Sequence, residues 1–224
     1  RTNAQSRAIE ESLVRWRIPY VVVGGLRFYD RREIKDILGY LRLLINPADT
    51  VSLLRVINVP KRGIGKTTIQ RCTDAANQLG IPLWDVVSDP EAARSLGGRS
   101  ARGLLQFCEL ITDLKQRIHD TAPSELLQQV IEKSGYVSEL IAEGTDEAEE
   151  RRRNLQELVN AALQYQEEND EGDLEGFLAS AALASDADSK DTEADRVTLM
   201  TLHSSKGLEF PVVCLVGMEQ GLFP

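Results

Sequence analysis

The chain has 224 residues, of which 42% are hydrophobic and 27% charged, as is usual for a globular protein of one or two domains. No apolar run approaches the roughly 18 residues that a membrane span needs, so we expect no membrane partner. Three widely spaced cysteines and two histidines exclude a disulfide framework and a multi-histidine metal site, and they favour a reducing, cytoplasmic compartment.

The net charge of −9 is unevenly distributed along the chain. Residues 1–72 hold 14 Lys and Arg against 6 Asp and Glu, whereas residues 73–224 hold 12 against 29. A basic first third on an acidic chain is expected of a protein that presents one face to a polyanion. Ordinary solvated helix faces would give the same counts, so this alternative stays open.

The first third of the chain predicts a helix, a strand and a second helix. Residues 5–16 have apolar side chains at helical spacing, and residues 20–23 form a short β-rich run before two glycines. The second helix covers residues 31–45 and ends at Asn46-Pro47. Its apolar stripe consists of Ile34, Ile37, Leu38, Leu41 and Leu44.

Nearly all of the chain from there to about residue 184 is predicted to be helical. Residues 52–57 form a short apolar helix or turn, and Ser124 is a suitable N-cap for the helix that follows it. The longer helices are expected at 67–79, 101–118, 125–133, 146–168 and 174–184.

The pattern changes after this helical region. Residues 185–195 are acidic and contain no apolar side chain larger than alanine, which predicts a linker. Two β-rich runs follow, at 197–202 and 212–216, as in an α/β domain. We therefore expect a mainly α protein in which a helical body adjoins part of an α/β domain.

Residues 65–67 (Gly-Lys-Thr) match the end of a phosphate-binding P-loop, but the P-loop interpretation fails. The glycine that begins such a loop is replaced by Pro60, which has no N–H to offer a phosphate. A glycine turn that opens a helix explains the residues better, with Ile64 as a buried anchor and Lys61, Arg62 and Lys66 supplying positive charge. Such a turn can bind a nucleic-acid backbone without contacting bases. The alternative is a glycine turn that only connects two helices.

Four segments, taken in order, resemble signatures of UvrD/PcrA/Rep-type superfamily 1 DNA helicases. They are RTNAQSR (1–7), GGLRFYDRREIKD (24–36), NVPKRGIG (58–65) and TLHSSKGLEF (201–210, helicase motif V), and GMEQGLFP (217–224) continues the pattern. The resemblance implies an internal fragment: 1–22 and 193–224 belong to the second RecA-like domain (2A), and 23–192 form the helical 2B subdomain inserted in it.

The resemblance also implies roles for individual residues. The duplex-contacting turn would comprise Lys61, Arg62, Gly63, Ile64, Gly65, Lys66 and Thr67. In the parent protein, Glu209 would contact the nucleotide ribose, with Lys206 beside that site. The single-strand track would include His203, Arg1 and Asn3; without the resemblance, a core histidine would be the better interpretation of His203.

The parent would be an ATP- and Mg²⁺-dependent 3′-to-5′ helicase of the bacterial cytoplasm, associated with the nucleoid. The chain itself lacks a P-loop, an acidic pair after a strand and an arginine motif, so we expect no catalytic residue, metal or cofactor and no ATP hydrolysis by it alone. Expected partners are duplex or junction DNA of any sequence, the other helicase domains, and repair or replication proteins. An autoregulatory or protein-interaction helical module without DNA binding is the alternative, and a small ATPase using Lys66 is the third class.

Overall fold

The computed structural model describes residues 6–170, 172–186 and 196–218. Single 3₁₀ turns lie at Phe28–Asp30 and Gly98–Ser100. The helices and strands of these ranges are α1 (Ser6–Arg15), β1 (Tyr20–Val23), α2 (Arg32–Ile45), α3 (Thr50–Val56), α4 (Lys66–Leu79), α5 (Leu83–Ser88), α6 (Pro90–Gly97), α7 (Ala101–Lys115), α8 (Pro123–Lys133), α9 (Tyr136–Glu143), α10 (Asp146–Glu168), α11 (Leu174–Asp186) and β2 (Val197–Met200). The fold is mainly α, as predicted, and none of the described helices could cross a membrane.

The two strands pair in parallel, although more than 170 residues separate them in the chain. Tyr20 aligns with Val197 and Val23 with Met200, and the backbone N–H of Val197 donates to the carbonyl of Pro19 at 2.9 Å. Parallel strands cannot be joined by a tight turn, so a crossover must connect them. Here the whole helical body, α2 to α11, forms that crossover.

Helix α2 lies at the centre of the helical body. Its predicted stripe is buried, and Tyr40 and Leu43, which lie outside the stripe, are fully buried as well. Helices α3, α7, α8, α10 and α11 all pack against α2, which leaves to solvent mainly the stripe of Arg32, Lys35 and Arg42. Periodicity predicted a helix with one apolar face; the packing of later helices buries most of its remaining surface too.

Polar side chains on α2 are buried because they have partners. The carboxylate of Glu33 accepts from Asn154 at 2.6 Å. That of Asp36 accepts from the Tyr136 hydroxyl at 2.8 Å and pairs with Arg55 at 2.8 Å. Paired charges of this kind are tolerated in a core, whereas single ones are not.

Two local predictions were wrong. The helix at 123–133 begins with Pro123 after Ala122, so Ser124 lies within the first turn and is buried instead of capping. Pro at the first helical position explains the earlier start. Residues 212–216 form no regular strand and are largely exposed, because no further strand among the described residues pairs with them. Most of the acidic segment predicted as a linker lies outside the described residues.

Candidate nucleic-acid interface

Residues 61–67, here called the glycine turn, follow α3 and include the first two residues of α4. Gly63 has φ +71°, a left-handed conformation that other residues adopt only with strain. Gly65 is the N-cap of α4, with φ −80° and ψ 159° and no side chain to cap the first N–H groups. The start of α4 therefore presents backbone donors and the positive end of a helix dipole.

Most residues of the glycine turn are exposed, whereas Ile64 is buried and Arg62 is half-buried. Lys61, Gly63, Gly65, Lys66 and Thr67 are exposed. The Ile64 side chain is 1% exposed and packs in the main hydrophobic core, as expected of an anchor. A helix, α3, precedes the turn instead of the buried strand that a P-loop requires, which agrees with the rejection of that interpretation.

Arg62 points into the helical body. Its guanidinium donates to the carbonyls of Val56 (3.3 Å), Pro60 (3.1 Å) and Ser134 (3.0 Å), and to the Tyr40 hydroxyl at 2.6 Å. It also lies over the rings of Tyr40 and Phe107, at 5.8 and 5.3 Å from their centroids. The arginine thus joins α2, α3, α7 and the end of α8 behind the turn.

Two uncharged side chains that the sequence did not single out hold the backbone of the turn. The Asn58 side-chain oxygen accepts from the N–H groups of Arg62 at 2.8 Å and Ile64 at 3.1 Å. The Ser100 hydroxyl donates to the Gly63 carbonyl at 2.7 Å and lies 3.3 Å from the Thr68 hydroxyl. At Gly103, a Cβ would collide with the carbonyl oxygen of Arg62, so α7 approaches the turn closely only with glycine there.

These contacts bring two further cations to the turn. Arg99 and Arg102 are exposed, and each precedes a residue that touches the turn, Ser100 and Gly103 respectively. Among the described residues, Lys61, Lys66, Arg99 and Arg102 form no ion pair. The sequence signal for Arg99 and Arg102 is Gly97-Gly98-Arg99 before a helix. That signal does not reveal that this segment contacts a turn about 35 residues earlier.

Cations elsewhere on the helical body are commonly paired. Arg117 and Lys133 both pair with Asp113, at 3.2 and 2.7 Å, and Arg151 pairs with Glu143 at 2.6 Å. Such pairing neutralises a surface, whereas the side chains of Lys61, Lys66, Arg99 and Arg102 are not paired in this way within the described part of the chain. One carboxylate does lie at the turn: Glu139 accepts from the backbone N–H of Lys61 at 3.5 Å.

The motif V residues lie elsewhere, after β2. His203, Lys206 and Glu209 are all exposed in this chain. Backbone hydrogen bonds shape this segment, among them Ser205 N–H to the Thr201 carbonyl at 3.1 Å. Arg1 and Asn3, the other residues assigned to a single-strand track, lie outside the described residues.

Comparison with known proteins accounts for the four signature segments. The model of the UvrD-like helicase C-terminal domain matches residues 1–224. The ATP-dependent DNA helicase PcrA from Staphylococcus aureus strain Mu50 and its counterpart from Staphylococcus epidermidis RP62A are each 42% identical to this chain over 226 aligned residues. The alignments cover 100% of this chain but 31% of each relative, so the chain spans less than a third of their length. The chain belongs to the family of UvrD-like helicase C-terminal domains.

Proposed function

We propose that this chain is the part of an ATP-dependent DNA helicase that holds duplex DNA, or a duplex–single-strand junction, by its phosphate backbone. The single observation that carries the proposal is the exposed glycine turn at the start of α4, with exposed Lys61 and Lys66 on it and exposed Arg99 and Arg102 on the segment that contacts it. Backbone N–H groups and flexible cations bind phosphates in any sequence context. Binding should therefore be independent of base sequence and should weaken as salt rises.

The same proposal assigns the parts of the chain. Residues 1–22 and 193–224 belong to the RecA-like domain 2A, and residues 23–192 are the 2B subdomain; the insertion of the helical body between two paired strands supports this division. In the complete helicase, which moves 3′ to 5′ with ATP and Mg²⁺ in the bacterial cytoplasm, Glu209 and Lys206 would lie at the nucleotide. His203, Arg1 and Asn3 would line the single strand.

Salt-dependent titration of labelled duplex, junction and single-stranded DNA with this chain tests the proposal. We expect the logarithm of the association constant to fall linearly with the logarithm of salt concentration. The double variant Lys61→Gln/Lys66→Gln should bind more weakly and reduce that slope by about two, one for each lost phosphate contact.

The matched control is Arg42→Gln/Lys115→Gln, which removes the same charge from two exposed cations outside the turn that form no ion pair among the described residues. It should bind as the unaltered chain does. Equal effects of the two double variants would mean that only net charge matters and would contradict a defined site. Absence of duplex and junction binding at low salt would instead favour a protein-interaction or autoregulatory module.

A further inference from the structure

We propose that Arg62, Asn58 and Ser100 are positioning residues that hold the glycine turn in its DNA-binding shape and do not themselves contact DNA. This inference rests on the proposed function for its consequence, but its structural part concerns the free protein. By sequence alone, Arg62 is expected among the residues that contact DNA; here it has a positioning role instead. Asn58 and Ser100 are two further, uncharged residues that lie outside the turn.

Arg62 is assigned a positioning role because most N–H donors of its guanidinium already bind acceptors within the protein. A guanidinium has five N–H donors, and four hydrogen bonds to Val56, Pro60, Ser134 and Tyr40 use most of them. Its central carbon lies over two aromatic rings, those of Tyr40 and Phe107. To reach a phosphate, the side chain would have to leave all of these partners, which would also leave three backbone carbonyls without this donor.

Asn58 and Ser100 act on the backbone from opposite ends. Asn58 binds the N–H groups of Arg62 and Ile64, which fixes the backbone from Arg62 to Ile64. Ser100 binds the Gly63 carbonyl, and the Arg62 carbonyl lies against Gly103. Both carbonyl oxygens, which would repel a phosphate, are thereby turned toward α7 and away from the exposed side.

Fixing the turn before DNA arrives reduces the conformational entropy lost on binding. This predicts a distinctive signature in a salt titration. Loss of a contacting lysine lowers both affinity and the salt slope, because one fewer counterion is released. Loss of an uncharged positioning residue lowers affinity by a similar factor at every salt concentration and leaves the slope unchanged.

The test compares Asn58→Ala, Ser100→Ala and Arg62→Lys with Lys61→Gln in this chain, each first checked for an unchanged circular dichroism spectrum. We expect about 5- to 20-fold weaker duplex binding for Asn58→Ala, Ser100→Ala and Arg62→Lys, with the salt slope of the unaltered chain. Lys61→Gln should lower the slope by about one. Ser180→Ala, which removes a comparable hydroxyl bond to the Phe177 carbonyl on α11, is the control and should bind normally.

Amide hydrogen exchange without DNA separates this inference from the proposed function. Asn58→Ala should speed exchange of the Arg62 and Ile64 amides at least about ten-fold, because their acceptor is lost. Unchanged exchange, or normal DNA binding by folded Asn58→Ala and Ser100→Ala, would overturn the inference. Normal affinity for Arg62→Lys together with a reduced slope for Arg62→Gln would show that Arg62 contacts phosphate. If the unaltered chain binds no DNA while exchange responds as expected, the proposed function fails and the positioning role stands.

Discussion

At the scale of single residues, Tyr40 connects the core to the candidate interface. Its hydroxyl donates to the Val59 carbonyl at 2.6 Å and accepts from Arg62 at 2.6 Å. Burial raises the pKa of Tyr40 to about 12, although the neighbouring Arg62 opposes the shift. The folded protein therefore stabilises the neutral phenol relative to the unfolded chain.

Replacing Tyr40 with Phe should alter stability in a pH-dependent way. The raised pKa means that the contribution is fully present below the unfolded value of about 10 and is lost as pH rises toward about 12. We expect Tyr40→Phe to lower the free energy of unfolding by about 1–2 kcal/mol at pH 8, because Arg62 loses an acceptor. Between pH 10 and 12, the unaltered chain should lose stability more steeply than the variant in urea unfolding. Parallel curves would contradict this assignment.

At the scale of elements, α10 and α2 are joined by a buried polar contact within an apolar interface. Asn154 donates to Glu33 at 2.6 Å and accepts from Arg31 at 2.9 Å. The sequence predicted α10 with its observed ends, and the helix packs along α2 and α8. The position of Asn154 in the sequence did not reveal its two charged partners.

Asn154→Ala should therefore lower the stability of the protein. Glu33 is 4% exposed and would lose the amide donor, so we expect a loss of about 2–3 kcal/mol in the free energy of unfolding. Asn160→Ala is the control: among the described residues, the Asn160 side chain on the same helix bonds to Glu157 alone, one turn earlier, at 3.2 Å. That control should change stability by less than about 0.5 kcal/mol in urea denaturation. Similar losses for both variants would show that helix propensity outweighs the buried contact.

At the scale of the whole molecule, the hydrophobic core and the strand pair contribute separately to the stability of the fold. The main core runs from Phe28 on the 3₁₀ turn to Ala181 on α11 and includes no residue of β1 or β2. A two-stranded pair is at best marginally stable by itself. The helical body should therefore not depend on the strands for its folding.

Val197→Pro tests this independence, because it removes the N–H that donates to Pro19 at the start of the pairing. We expect the helical circular dichroism signal and its midpoint of thermal unfolding to change by no more than about 2 °C. Arg42→Pro in the interior of α2 is the contrasting variant, since proline there removes an intrahelical hydrogen bond and clashes with the preceding turn, and it should lower the midpoint markedly. A large decrease for Val197→Pro would show that the strands and helices unfold as one unit.

Agreement between the sequence and the structure follows the range of the interactions involved. Helices such as α2, α4 and α10 were predictable because periodicity and terminators, including Gly80 at φ +66° after α4, are local signals. The run at 212–216 has strand-like composition but no pairing partner among the described residues. A strand needs hydrogen bonds from another segment, so composition alone could not decide its structure.

The sequence by itself determined the helical class, the glycine turn and, through the signature segments, the family. Only the tertiary structure decided that Arg62 faces inward and that the segment carrying Arg99 and Arg102 contacts the glycine turn. Residue types and spacings report what a segment can form and which chemistry it carries. The direction of a long side chain and its neighbours from distant segments depend on how α2, α7 and α8 pack behind the turn, because that packing sets which acceptors lie within reach.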